Sequence, residues 1–345
     1  MTQERFGTVL AGNMDTLRPA YEAFLAQAVD LDLLGQSAKA FVPRRQATLA
    51  NPVQVSGPGT FFGKETRTLR FEPTDLEGWW FCREDLEDSL PIRVSIRNVW
   101  TTGDVVSNIV LRSGPPQNYV RMVEHIVALK CGLPIDNVMI RVGSGDPPLF
   151  NRGSLDLMEA LESAGTRETG KPVNWFTVKE KVTVALPSGA FLIFHPCTGP
   201  EPVLTLDCAI DFTTAIGKQR LRYPLTEEIF RQGTEARTNT SFLKMLYCRT
   251  VGKLFADVRN LGYSAENILI AGKWGYLNEP KLMHESKSLE AVWHRSTLDL
   301  LAAIALLEEG RFCGHIESYK AGHFLDCYAM RLLYKRGMLD KFPAA

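Results

Sequence analysis

The sequence predicts an α+β fold in two halves, each with helices layered on a sheet, and three observations carry that prediction. Runs with strand character are followed by segments of helical period, and this order occurs twice along the chain. A polar stretch, TRETGKPVN at 166–174, interrupts the pattern between the two occurrences. The composition, 45% hydrophobic and 23% charged over 345 residues, is that of an ordinary globular chain with ample material for a core, and the length favours two domains. The expected organisation is an N-terminal helical extension at 1–47, a first domain at 48–168 and a second at 169–345.

In the extension, MDTLRPAYEAFLAQAVDLDLLG carries apolar residues at helical spacing, with Gly35 as a stop. Pro19 marks either the start of one helix or the junction of two. The segment reads as a packed cap, with a homodimer contact as the alternative use of its apolar face. In the first half, ATLANPVQVSGPG (47–59) and KETRTLRFEP (64–73) give a strand–turn–strand signal. GWWFC, PIRVSIRNVW and VVSNIVLRS add strand candidates. QNYVRMVEHIVALKCG (117–132) switches to helical period and ends at Gly132; NVMIRVG is a strand, and SLDLMEALESAG (154–165) a short helix. The second half repeats the order: strands WFTVKEKVTVAL, GAFLIFHP and VLTLDCAIDF, helix SFLKMLYCRTVGKLFADVRNLG, strand NILIAG, and helix SLEAVWHRSTLDLLAAIALLEEG.

Charge and cysteine usage exclude several function classes. Lys+Arg and Asp+Glu are both 39, so no global field favours nucleic acid, although a local basic pocket for a phosphorylated ligand stays open. The N-terminus lacks the pattern of a signal peptide. The most apolar stretch, LDLLAAIALL (298–307), is too short to span a bilayer and contains Asp299, so a cytoplasmic protein without a transmembrane segment is expected. The seven cysteines are dispersed without a CxxC pair, which fits reduced packing residues rather than a disulfide framework or a thiolate zinc cluster. The glycines of SGPG and GSGD form neither a Walker loop nor a dinucleotide fingerprint, and no GxSxG elbow is present.

Several residues have the chemistry of a metal-assisted hydrolase. Glu124 and His125 are adjacent on a helical segment, so a metal held by His125 would bring its water within reach of the Glu124 carboxylate. Taken alone, the pair also reads as a surface Glu beside a packed His. His294 and Asp299 share a second helical segment at a spacing of five, which on a regular α-helix puts them about 140° apart. A π-type turn would return the second residue to the face of the first. His323 follows Ala321–Gly322, and Thr250, in RTVG (249–252), offers a hydroxyl to a developing oxyanion. His195, His284 and His315 show no partner and read as structural.

These words stand in a collinear series with VSGPGTFFGK (55–64), PPLFNRGSLDLMEALESAG (147–165), IDFTTAIGKQ (210–219), HRSTLDLLAAIALL (294–307) and GHIESYKAGHFLD (314–326). Together they resemble the UDP-3-O-acyl-N-acetylglucosamine deacetylases of lipid A synthesis, over roughly residues 48–335. The resemblance implies two two-layer α/β sandwiches of similar topology sharing an active-site cleft. It also implies one Zn2+ bound by two histidines and an aspartate, and an acylated nucleotide-sugar substrate. On this sequence the implied ligands are His125, His294 and Asp299, and the implied general base is Glu124. Thr250 falls on the oxyanion donor, His323 on the catalytic histidine, and Arg295 on the basic residue that meets a substrate phosphate.

The chain departs from that pattern in several places. The family aspartate follows its histidine by four positions, whereas position 298 is Leu here and Asp299 is five away. The second aspartate, which orients the catalytic histidine, corresponds to Ala303. The N-terminal His-Ser-Gly turn is Phe61-Phe62-Gly63, and the Thr-Phe-Gly-Phe word is Thr250-Val251-Gly252-Lys253. The sequence therefore leaves two functions to distinguish: a zinc deacetylase, or a paralogue of the same fold that acts on another N-acyl sugar or binds without hydrolysis.

Overall fold

A computed structural model describes residues 5–35, 41–43, 45–60, 65–103, 107–241 and 264–343. In chain order the elements that frame the site begin with β1 (Thr8–Ala11), α1 (Met14–Ala26) and β2 (Leu31–Asp32). Next come β3 (Val53–Pro58), β4 (Thr66–Glu72), β5 (Trp79–Arg83), β6 (Ile92–Arg93), α2 (Glu124–Val127), β7 (Val138–Val142) and α3 (Leu155–Ala164). The second half supplies β8 (Val182–Ala185), β9 (Phe191–His195), β10 (Leu204–Asp211), β11 (Lys218–Pro224), α4 (Glu227–Thr234), β12 (Thr238–Ser241) and β13 (Ile268–Ala271). It closes with α5 (Glu290–Trp293), a π-helical segment His294–Leu300, α6 (Leu301–Ala305), β14 (Gly314–Tyr319) and α7 (His323–Lys335).

Two larger sheets organise these elements, one from each half. The first has the order β3-β4-β7-β5-β6, and the second, of seven strands, the order β1-β8-β9-β14-β10-β11-β2. The expected strand–turn–strand unit is the antiparallel β3–β4 pair, with Val53 opposite Phe71 and Pro58 opposite Thr66. Buried side chains from both halves, among them Phe71, Phe81 and Ile140 with Leu192, Phe194, Leu206 and Trp293, belong to one continuous apolar cluster. The polar stretch at 166–174 is not a bare linker. Thr166–Pro172 forms a strand antiparallel to Arg45–Leu49, so its backbone groups are satisfied by pairing although most of its side chains face water.

The seven-stranded sheet is buried on both faces, which explains why β9 reads as the unbroken apolar run FLIF rather than as an alternation. Leu192 and Phe194 enter the main cluster, while Phe191 and Ile193 pack with Leu17 and Phe24 of α1 on the opposite face. The N-terminal segment is thus more than the helical extension its periodicity predicts. β1 pairs in parallel with β8 and β2 in parallel with β11, so the segment adds a strand at each edge and lays α1 across the sheet. Asn13 caps α1 by accepting from the Asp15 amide at 2.9 Å; Pro19 lies inside the helix, which ends at Ala26 rather than near Gly35.

Arg220 fastens the far end of α1. Its guanidinium donates to the Phe24 and Gln27 carbonyls at 2.7 and 3.1 Å and bidentately to Asp207 at 2.8 Å, lying 3.9 Å from the Phe24 ring centroid. Phe24 also meets Phe191 edge-on, with ring centroids 5.5 Å apart. Replacing Phe24 with Ala empties the centre of this layer, and urea denaturation is expected to show a loss of about 3–5 kcal/mol. A change within about 0.5 kcal/mol, the range of surface substitutions, would mean that α1 is a loosely attached appendage.

Candidate active site

The helix expected over 117–132 is broken, and the break places its two chemical residues. Tyr119–Val120 is a short strand and Met122 turns through a left-handed conformation at φ 53°, costly for a non-glycine residue. The Met122 amide donates to Asn108 Oδ1 at 3.3 Å, and α2 starts two residues later at Glu124. Glu124 is buried, its Oε2 accepting from the Ile109 amide at 3.1 Å, while Oε1 faces His323 Nε2 at 4.0 Å. Burial raises the Glu124 pKa above the ordinary carboxylate value, against the lowering influence of His323.

The decisive feature on the facing segment is the π turn. A regular α-helix would separate His294 and Asp299, but residues 294–300 are π-helical and the extra residue in the turn brings them together. Asp299 Oδ1 lies 3.4 Å from His294 Nδ1 and 3.4 Å from His323 Nε2. Burial opposes charge on His294, but the charge and hydrogen bond of Asp299, with Glu124 and Glu290, raise its pKa. Burial would likewise push Asp299 up, but His294 and His323 outweigh it and hold the carboxyl well below its usual range. The position expected to orient His323, Ala303, is apolar and buried, and Asp299 supplies the anion instead.

The turn has room because α4 presents no side chain at the contact. Thr297 sits over Gly233, where an added Cβ would land on the Thr297 side chain well inside van der Waals distance. Thr297 is fully buried there.

On the face of His294 away from Asp299, its Nε2 meets His125 Nε2 at 3.1 Å. The Thr238 hydroxyl lies within hydrogen-bond distance of both, 3.1 Å from His125 Nε2 and 3.0 Å from His294 Nε2. Burial and the neighbouring His294 push the His125 pKa down to about 3, which keeps its lone pair available. Thr238 lies in an Arg–Thr word, Arg237–Thr238, that recurs at Arg249–Thr250, and the sequence alone does not separate the two. Thr250 lies outside the described residues, as do Phe61, Phe62, Gly63 and Lys253.

Thr238 is positioned from below by Glu290, which periodicity gave no reason to single out. Glu290 is fully buried and accepts from Arg237 Nε at 2.6 Å, Arg237 Nη2 at 3.0 Å, the Arg237 amide at 3.1 Å and the Lys281 amide at 2.7 Å. Glu290 and His294 are four positions apart, so one face of the helical run carries both the anchor of the Thr238 strand and the histidine.

Arg295 stands elsewhere than its expected phosphate contact implies. It is 5% exposed and donates through Nη2 to Asp326 Oδ1 at 2.6 Å and to Ser318 Oγ at 3.3 Å. It ties the π turn to α7 and so sets the height of His323, the first residue of that helix.

His125, His294 and Asp299 converge, but not as a closed trio. Among the described residues, the group of three His, Cys, Asp or Glu ligand atoms all within 4.8 Å of one another is His195, His315 and Glu317 on a different surface. Asp299 misses that spacing with His125 because it faces the Nδ1 edge of His294 while His125 faces the Nε2 edge.

If Gly233 is what admits the bulge, Gly233→Ala is expected to lower stability by about 1–3 kcal/mol in urea denaturation, the range of an overpacked core. It should also weaken metal retention by shifting His294 and Asp299. Wild-type stability together with wild-type metal content would show that Thr297 yields freely and that the close approach does not set the turn.

Known proteins resemble the chain over most of its length. A sequence model described as UDP-3-O-acyl N-acetylglycosamine deacetylase matches residues 46–335. The UDP-3-O-acyl-N-acetylglucosamine deacetylase of Teredinibacter turnerae is 28% identical over 304 residues, covering 85% of this chain and 91% of that protein. Proteins of the same name from Hahella chejuensis and Brucella ovis are each 27% identical over 84% of this chain, covering 90% and 94% of their own lengths.

Proposed function

Because this chain belongs to the UDP-3-O-acyl N-acetylglycosamine deacetylase family, we propose that it is a zinc-dependent amidohydrolase removing the N-acetyl group of a 3-O-acylated UDP-N-acetylglucosamine. The observation that carries the reading is the convergence of Glu124, His125, Thr238, His294, Asp299 and His323 from four separate segments of the chain.

The donor set fits a zinc ion between the two histidines. Two nitrogens on one tetrahedral zinc, each at about 2.0–2.1 Å, stand roughly 3.3 Å apart, close to the 3.1 Å between His125 Nε2 and His294 Nε2. Asp299 would be the carboxylate of the ligand set. In its present position it is the anionic partner of His294 and His323, a role that raises ligand basicity. When bound, the ion supplies Lewis acidity toward the acetamide carbonyl and a lowered pKa for water.

The protein groups have separable tasks. Glu124 holds its Oε2 on the Ile109 amide and keeps Oε1 free to take the proton of the attacking water. Its raised pKa makes it a better base than an exposed carboxylate. The Thr238 hydroxyl is placed to donate to the oxyanion that forms at the carbonyl, the role that the sequence pointed to at Thr250. His323, with Nε2 between Asp299 and Glu124, is placed to pass a proton to the departing amine. Arg295 acts as a positioning residue through Asp326. Among the described residues no helix is long and apolar enough to cross a membrane.

The test is acetate release from the acylated UDP-sugar together with metal content. Glu124→Gln should retain zinc and lose about 10²–10⁴-fold in turnover. Wild-type protein that purifies without zinc, or a Glu124→Gln variant with undiminished turnover, would overturn the reading. Zinc retained with no turnover of this substrate would favour the second function, a paralogue of the same fold acting on another N-acyl sugar.

A further inference from the structure

The outer face of the seven-stranded sheet carries a second group of ligating side chains that the deacetylase mechanism does not use. His195 of β9 and His315 of β14 are directly opposed in the antiparallel ladder, so their side chains share a face, with ring centroids 5.2 Å apart. Glu317 is two residues beyond His315 on the same face, with Oε1 at 3.3 Å from His195 Nε2. One ligand atom from each of the three residues lies within 4.8 Å of the other two. The Thr205 hydroxyl of β10 is 2.8 Å from His315 Nδ1, which fixes that ring and leaves its Nε2 for another partner.

The charges around the group leave a cation wanting. The neighbouring carboxylate on β10, Asp207, is matched by the Arg220 guanidinium at 2.8 Å and by Arg222 Nε at 3.3 Å. Glu317 is 13% exposed and has no Lys or Arg partner among the described residues; its one ion-pair contact is His195. Its Oε2 and the His195 Nε2 are shielded from solvent without a hydrogen-bond partner. A half-buried carboxylate whose one ionic partner is an imidazole, with its second oxygen shielded from water, is stabilised when a positive charge joins it.

We propose that His195, His315 and Glu317 form a second divalent-metal site, separate from the catalytic one, that ties β9 to β14 where α1 meets the sheet. Two imidazoles and one carboxylate select a borderline ion of the zinc, cobalt or nickel class rather than calcium or magnesium, and leave a fourth position for water. The site adjoins the N-terminal layer through Tyr21 of α1, whose hydroxyl pKa is pushed up to about 12 by burial and by the Glu317 carboxylate. The metal would therefore brace the sheet face on which α1 rests.

The experiment is Co2+ titration of metal-stripped full-length protein, followed by dialysis, elemental analysis and the visible absorption of the ion. An equivalent that is lost in His315→Gln and in Glu317→Gln, yet kept in the His125→Gln/His294→Gln double variant, is the expected result. The wild type should then hold two equivalents, and each set of variants one. If no retained equivalent depends on His315 or Glu317, the proposal is wrong. That outcome is distinct from failure of the catalytic assignment, in which the missing equivalent would be the one that depends on His125 and His294. Circular dichroism of each variant confirms that a lost equivalent does not reflect unfolding, and Glu317→Gln keeps the volume and hydrogen-bonding reach of the native side chain.

Discussion

One carboxylate between two buried imidazoles organises this site. Asp299 stands 3.4 Å from both His294 and His323, and it reaches them because residues 294–300 form a π turn. A charge removed from water needs such compensation, and each partner of Asp299 is itself fixed. His294 follows Glu290 by four positions on a helical run that Glu290 anchors to Arg237, and His323 opens α7, which the Arg295–Asp326 pair docks on the turn. The added residue is accommodated where α4 offers Gly233 beneath Thr297. The one-residue displacement that looks like a defect in the sequence is therefore built into the packing of three neighbouring elements.

That arrangement alters the division of labour among the acidic groups. The family pattern calls for one aspartate on the metal and a second to orient the catalytic histidine, and this chain has Ala303 at the second position. Asp299 supplies the missing anion to His323 while remaining beside His294. Glu124 has one oxygen held by the Ile109 amide and the other 4.0 Å from His323 Nε2, the same nitrogen that Asp299 meets at 3.4 Å, so the two carboxylates flank one imidazole.

Much of the fold was legible because its signals are local. The β3–β4 hairpin, the helix ending at Gly165 and the apolar run of β9 follow from alternation, capping and composition. The N-terminal segment was only half legible: α1 has helical period, but the two edge strands are fixed by pairing with β8 and β11, more than 150 residues away. At the site, the spacing of His294 and Asp299 made a π turn the condition for their meeting, and residues 294–300 form one. Thr238 was not found because its Arg–Thr word occurs twice, and only tertiary placement shows its hydroxyl between the histidines. The inward turn of Arg295 and the pairing of His195 with His315 depend in the same way on contacts between distant strands and helices.

The most direct test of the central role of Asp299 is turnover and zinc content of the Asp299→Asn variant, which keeps shape and removes charge. Weakened metal retention and a loss of turnover of at least about 10–100-fold, even when zinc is resupplied, are expected because His294 and His323 lose their shared anion. Wild-type turnover with wild-type zinc content in that variant would contradict that role.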